Sequence, residues 1–328
     1  MAAGCVVPAV VAKSLPSAKA AIGAAHCRVG TITLAFSATI PKGVVVSQLP
    51  RAKRHARTGT RISIVVSRGP EPPAPTLERR LVDVGGYKLY LECIGTGTPT
   101  VILESGANGT DWSFVEPSVA SFTRVCAYDR AGTGSSEPRP AGIAATASRV
   151  AAELHTLVAA AGIEGPDVLV GHSLGGFYSH LYAKLYPNDV AGLVLVDGAP
   201  EQWMQANLPA LAPFALGVDL ADGIQQLLGW SSGSLPLVVL AQTQGQLPPP
   251  LPYAGWLDGQ KSIAQRSADA WLVRVNSGHD IPARFGGRPQ AVIEAVRAVV
   301  TAARAKAPLP ACAGSALADY GTCLATTR

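Results

Sequence analysis

Residues 167–187 hold the tightest constraint in the chain. An apolar run, Asp167–Gly171, meets a serine bracketed by glycines, Gly171-His172-Ser173-Leu174-Gly175-Gly176. A helical pattern then runs to Tyr186 and stops at Pro187. An apolar run without polar alternation is the mark of a strand buried on both faces. A strand feeding directly into a helix through glycines leaves room only for a sharp turn. The serine therefore stands above the end of the strand, at a helix N-terminus whose partial positive charge favours an anion. The same alternation recurs from residue 80 onward. Leu81–Val84 and Lys88–Cys93 flank Gly85-Gly86 as a hairpin. Thr100–Glu104, Thr123–Asp129, Ala191–Asp197, Leu235–Ala241 and Trp271–Asn276 read as strands. Val150, Leu154, Leu157, Val158 and Ala161 mark one helix, capped by Gly162, and Val292, Ile293, Val296, Val299 and Val300 another. Strands separated by helices predict an α/β fold: a mostly parallel, doubly wound sheet with helices on both faces. Ligands then bind at the carboxyl ends of the strands.

Charge is divided unevenly along the chain. Ten of the 27 Lys and Arg residues precede residue 71, and the first carboxylate is Glu71. The remainder carries 17 basic against 22 acidic side chains, so the main body is acidic and no nucleic-acid binding is expected of it. The cluster Arg51, Lys53, Arg54, Arg57 and Arg61 lacks interleaved aromatic residues. The basic, acid-free segment 1–75, with Lys13, Pro16 and Lys19 interrupting its apolar stretch and Pro41 interrupting Val29–Val46, reads as a targeting or disordered extension. A start codon assigned too early is the other reading. Gly69–Pro75 reads as the linker that ends it. The main α/β domain would then span 76–307 and a Gly/Ala-rich tail 308–328. Apolar residues make up 48% and no apolar run is long enough for a bilayer span, so neither wholesale disorder nor an integral membrane segment is expected. Cys312 and Cys323 are expected to tie the tail, which has little core of its own. Cys93 and Cys126 fall on strands that could be neighbours, the alternative being buried thiols. A real bridge would point to an organellar or exported protein.

A serine hydroxyl needs a base to act as a nucleophile. Of six histidines, His26 and His55 lie in the N-terminal segment, His155 and His180 inside helices, and His172 beside the serine with its side chain expected to point elsewhere. His279, in Ser277-Gly278-His279-Asp280 just after the last strand, returns to the same rim and is the expected base. Asp197 ends the strand after the nucleophile helix and is the expected acid. After the next strand the chain reads Gln242-Thr243-Gln244-Gly245-Gln246, without a carboxylate. Asp258, Asp269 and Asp222 are the alternatives, and Asp280 would have to bend back on its neighbour.

These residues resemble the α/β-hydrolase family over about residues 80–305. The likeness rests on Gly171–Gly175 in its strand–turn–helix setting, on Gly278-His279, on Leu193–Asp197, and on Asp129-Arg130-Ala131-Gly132-Thr133-Gly134-Ser135-Ser136. The resemblance implies an oxyanion hole from the backbone N–H of Leu174 and of Ala107, the latter in Glu104-Ser105-Gly106-Ala107-Asn108-Gly109. The family commonly has His-Gly where this chain has Ser105-Gly106. It also implies a short helical lid at about 199–234, which carries Trp203, Leu211, Phe214 and Leu220 among other apolar residues. Asp129 reads as a turn-fixing residue.

The expected activity is a serine hydrolase that cleaves carboxylic esters of small or medium apolar substrates through an acyl-enzyme. The alternatives are amide, lactone or C–C hydrolysis, acyl transfer or perhydrolysis on the same fold, and a low-turnover ligand-binding or sensor protein. With no H-E-x-x-H, no C-x-x-C and no phosphate-loop lysine after Gly95-Thr96-Gly97-Thr98, neither metal nor cofactor is expected. The expected partner is a small-molecule ester; the oligomeric state is left open.

Overall fold

A computed structural model describes residues 4–71 and 76–325. The chain divides into two compact units, Met1–Ala74 and Pro75–Arg328.

The first unit corrects the expectation of an extension without a fold. It contains β1 (Cys5–Val6), α1 (Leu15–Ala24), β2 (Arg28–Ala35), β3 (Val45–Leu49), β4 (His55–Ala56) and β5 (Arg61–Ser67). The long strands form a sheet in the order β2-β5-β3, and β1 pairs with β4. Ten buried residues, Ile22, Ile62, Ile64 and Val66 among them, form its core, and a Cys5–Cys27 disulfide crosses it. The breaks in the sequence are element boundaries. Pro16 lies in the first turn of α1, where a proline costs no hydrogen bond, and Ser14 caps that turn by accepting from the Ser17 N–H. Lys13 and Lys19 are exposed. Pro41 separates β2 from β3. Of the linker expected at Gly69–Pro75, residues 72–75 lie outside the described residues.

The second unit has β6 (Leu77–Asp83), β7 (Lys88–Ile94), β8 (Val101–Glu104), α2 (Glu116–Ala120), β9 (Val125–Tyr128), α3 (Ala147–Ala160), β10 (Asp167–His172), α4 (Leu174–Leu185) and β11 (Val190–Val196). It continues through α5 (Glu201–Ala206), α6 (Leu208–Leu211), α7 (Ala221–Leu227), β12 (Leu237–Gln242), α8 (Trp256–Ala264), β13 (Ala270–Val275), α9 (Pro289–Ala305) and β14 (Gly321–Leu324). Nine strands form one sheet in the order β14-β13-β12-β11-β10-β8-β9-β7-β6. The pairs from β9 through β13 are parallel; β6–β7, β7–β9 and β13–β14 are antiparallel.

Central strands are apolar on both sides because both faces are covered. Leu193, Leu195, Leu237 and Val239 join one core cluster with α3, α4 and the segment after β11. Val194, Val196, Val238 and Leu240 join the other with α9. Strand order reverses at β8, since β9 lies on one side of it and β10 on the other. The crevice above β8 and β10 is therefore the topological switch point, where open α/β sheets bind ligands.

Two further expectations change. The tail is not a loop appended to a finished domain. Its β14 extends the sheet along β13, and the Cys312–Cys323 disulfide anchors that strand, so the sheet's residues run to Leu324. Cys93 and Cys126 stand directly opposite on β7 and β9 and are bridged rather than free. No free cysteine occurs among the described residues.

Candidate active site

Ser173 sits between β10 and α4 with φ 54° and ψ −123°, a conformation that an L-residue adopts only when its surroundings impose it. Three hydrogen bonds impose it here. Its N–H donates to the Val196 carbonyl at 3.1 Å, and its own carbonyl accepts from Gly176 N–H at 3.0 Å and Ala199 N–H at 2.8 Å. The glycines make the approach feasible. A Cβ on Gly175 would run into the carbonyl oxygens of Glu104 and Ser105, and one on Gly176 would come 2.6 Å from Gly198 Cα. Ser173 makes no side-chain cap on α4, so its hydroxyl is left to face the crevice.

Ser173, His279 and Asp197 are brought together from three strand ends. Ser173 Oγ lies 2.9 Å from His279 Nε2, and His279 Nδ1 lies 2.7 Å from Asp197 Oδ2. A carboxylate can only accept, so Nδ1 carries the proton and Nε2 is free to take the hydroxyl's. Asp197 is fully buried, with φ 44°, and its oxygens accept from four donors. Besides His279 these are the Gln242 N–H at 3.2 Å, the Gln242 amide at 2.9 Å and Trp256 Nε1 at 3.0 Å. Such a set fixes the orientation of the carboxylate.

The other acids lie elsewhere. Asp258 pairs with Lys261 on the surface, Asp269 accepts from the Leu309 N–H, and Asp222 accepts from the Ala147 and Ser148 N–H groups at the start of α3. Asp280 is exposed, 3.8 Å from His172. Asp129 accepts from the Ser135 N–H in its turn.

Several contributors carry no motif. His172 points into this region rather than away from it. Its Nε2–H donates to the His279 carbonyl at 3.0 Å. Its Nδ1 accepts from the Thr110 hydroxyl at 3.0 Å, which in turn accepts from the Gly106 N–H at 2.9 Å. The imidazole thus ties the loop that carries His279 to the loop after β8. Burial, reinforced by the neighbouring His279, pushes its pKa down to about 4, so it stays neutral. Arg130, also buried, donates to Glu104 Oε1 and the Ser105 carbonyl at 2.5 Å and to the Gly106 carbonyl at 2.6 Å. That guanidinium clamps the loop that carries Ala107. Burial raises the Glu104 carboxyl, with Arg130 pulling the other way.

Leu174 and Ala107 both line the cavity beside Ser173, of about 90 Å³. The lining is largely apolar, with Trp203, Leu211, Phe214 and Leu220 from the expected lid. The lid is wider than the sequence indicated. Leu247, Pro248 and Leu251, between β12 and α8, contribute a second segment, and Trp256 closes the wall edge-on to His279. Their signal was the proline-rich run 248–252, which cannot continue a strand.

This geometry, a strained serine at the switch point of a doubly wound sheet, defines a class. The body has the α/β-hydrolase fold, and the model of that fold family matches residues 99–248. Residues 6–68 match a second model, that of the PASTA domain. A 2-hydroxy-6-oxo-2,4-heptadienoate hydrolase of Pseudomonas putida is 33% identical over 157 residues, 46% of this chain and 50% of its own. An uncharacterised protein of Schizosaccharomyces pombe is 36% identical over 141 residues, 42% of this chain and 25% of its own. The chain thus spans half or less of the length of these curated relatives. Among solved structures, the α/β hydrolase domain-containing protein 10 of mouse shares the fold. It has a TM-score of 0.52 and 19% identity, over 68% of this chain and 98% of that one. Among the described residues, no helix is long and apolar enough to cross a membrane.

Proposed function

We propose that the body is a serine hydrolase that cleaves carboxylic esters of small or medium apolar substrates through an acyl-enzyme. The observation that carries this reading is the continuous relay Ser173–His279–Asp197 opening onto an apolar cavity. Ser173 Oγ attacks the acyl carbon while its proton passes to His279 Nε2. Asp197 holds the Nδ1 proton and stabilises the imidazolium. The oxyanion lies against the N–H groups of Leu174 and Ala107, each worth on the order of 3 kcal/mol. The alcohol leaves with the proton from His279. Water, deprotonated by the same base, then releases the acid and restores the serine. A cavity of about 90 Å³ favours a short acyl group. Relatives named as hydrolases support hydrolysis as the reaction class. All six cysteines are paired, which supports a location outside a reducing cytosol.

The test is hydrolysis of p-nitrophenyl esters, from acetate to palmitate, by the full chain and by Ser173→Ala. Activity highest for short chains and lost on substitution is expected. Equal hydrolysis by both proteins, or none by either, would sink the ester reading.

A further inference from the structure

The N-terminal unit presents an electrostatic imbalance that its own fold does not resolve. All ten of its Lys and Arg side chains are exposed, and it has no carboxylate before Glu71. Among the described residues every ion pair lies in the body. Arg28 and Arg61 even stand directly opposite in the β2–β5 register, a like-charge pair that costs stability unless an anion lies near.

Beside these cations the sheet leaves apolar surface bare. The register pairs Ile32 with Ile64 and Leu34 with Val66, so the four share one face. Ile64 and Val66 are buried in the core with Ala18 and Ile22 of α1. Ile32 and Leu34, on edge strand β2, remain 37% and 56% exposed, and Phe36 just beyond them 45%. The Arg68 guanidinium lies 5.6 Å from the Phe36 ring centroid, and Lys42 adjoins Gly69 next to Arg68.

We propose that this face, Ile32, Leu34 and Phe36 flanked by Lys42 and Arg68, docks on an anionic phospholipid surface. Two alternatives, a nucleic acid and a hydrophilic anionic polymer, meet the observations less well. Phe36 is the only aromatic residue before Tyr87, so there is no platform for stacking bases. The Cys5–Cys27 disulfide within the unit also places it away from cytosolic nucleic acid. A hydrophilic anionic polymer would satisfy the charges but offer nothing to Leu34 and Phe36. An anionic bilayer supplies both, drawing in the cations from about a Debye length and burying the apolar side chains at the headgroup boundary. The proposal does not depend on the chemistry at Ser173.

The experiment is sedimentation of the full chain with vesicles of phosphatidylcholine alone and with phosphatidylglycerol included. The chain should pellet only with the anionic vesicles, and less as NaCl rises. Each neutralised cation near the surface should lower binding about fivefold. Lys42→Gln with Arg68→Gln, and separately Leu34→Ser with Phe36→Ser, should therefore each lower it at least roughly tenfold. Unchanged hydrogen exchange over residues 28–36 would show that these surface changes leave the unit folded. No binding to anionic vesicles would overturn the proposal. So would equal binding to soluble polyphosphate that survives the Leu34/Phe36 replacement, which would mean a polyanion partner. A dimer in solution that the same replacement dissociates would assign the face to a second copy, and likewise overturn it.

Discussion

The two units handle charge in opposite ways. The N-terminal unit keeps ten cations at its surface and buries none. The body pairs its buried glutamates with arginines, Glu104 with Arg130, Glu153 with Arg139 and Glu201 with Arg266. It also buries groups with shifted titrations. Burial pushes the Asp167 carboxyl up to about 7 and the His180 imidazole down to about 3. Exposed like charges are governed by screening, whereas buried titratable groups are governed by proton uptake. One chain therefore contains a unit whose stability should answer to salt and another whose stability should answer to pH. All five tryptophans lie in the body, so their fluorescence reports on it alone.

The largest separation of the two units is functional. Ser173→Ala should lower ester hydrolysis by roughly 10⁴-fold or more. Hydrogen exchange over residues 4–71 should not change. The reverse experiment replaces Cys5 and Cys27 by serine. Cross-linking two positions 22 residues apart restricts the unfolded chain, so its loss should destabilise that unit by about 3 kcal/mol. Exchange over residues 4–71 should then accelerate while ester hydrolysis persists; a loss of activity would mean that the units are coupled.

The pH response comes next, and its sign can be worked out. The ordinary carboxyl of Asp167 titrates at 3.8, and in the folded body it is raised to about 7. Between these values the folded state holds a proton that the unfolded state has lost, so rising pH erodes stability and the deficit is complete above 7. Asp167→Asn should therefore stabilise the body by about 2 kcal/mol above pH 7 and by progressively less toward pH 4. The urea midpoint of tryptophan fluorescence measures this, and a gain independent of pH would contradict it. The smallest effect is that of salt. Raising NaCl should slow exchange in the N-terminal unit by the equivalent of about 1 kcal/mol or less, with little change in the body's midpoint.

The body was legible in sequence because each of its central strands carries its own signal. An apolar run such as Leu193–Val196, short and bounded by Gly192 and Asp197, fits a strand covered on both faces. Its serine was legible because glycines at 171, 175 and 176 have one steric explanation. The N-terminal unit gave weaker signals. Its helix is short and alanine-rich, β2 is exposed along most of its length, and Pro16 and Pro41 look like breaks until the elements are placed. The Cys5–Cys27 bridge was hidden for the same reason, since pairing two cysteines requires knowing that their segments meet. Within the site, His172, Arg130 and Trp256 act through contacts between segments distant in sequence, which no local pattern encodes. Gln242 did leave a trace. The sequence after that strand has no carboxylate, and the amide that stands there donates to the carboxylate arriving from the neighbouring strand.

The central claim is that Ser173 is a nucleophile activated by His279. A fluorophosphonate probe reacts with an activated serine and leaves a covalent adduct that mass spectrometry can place on a peptide. The account predicts one adduct per chain, on Ser173, absent from Ser173→Ala and formed far more slowly by His279→Gln and Asp197→Asn. No adduct on Ser173 in protein with native fluorescence, or labelling at an undiminished rate in His279→Gln, would contradict it.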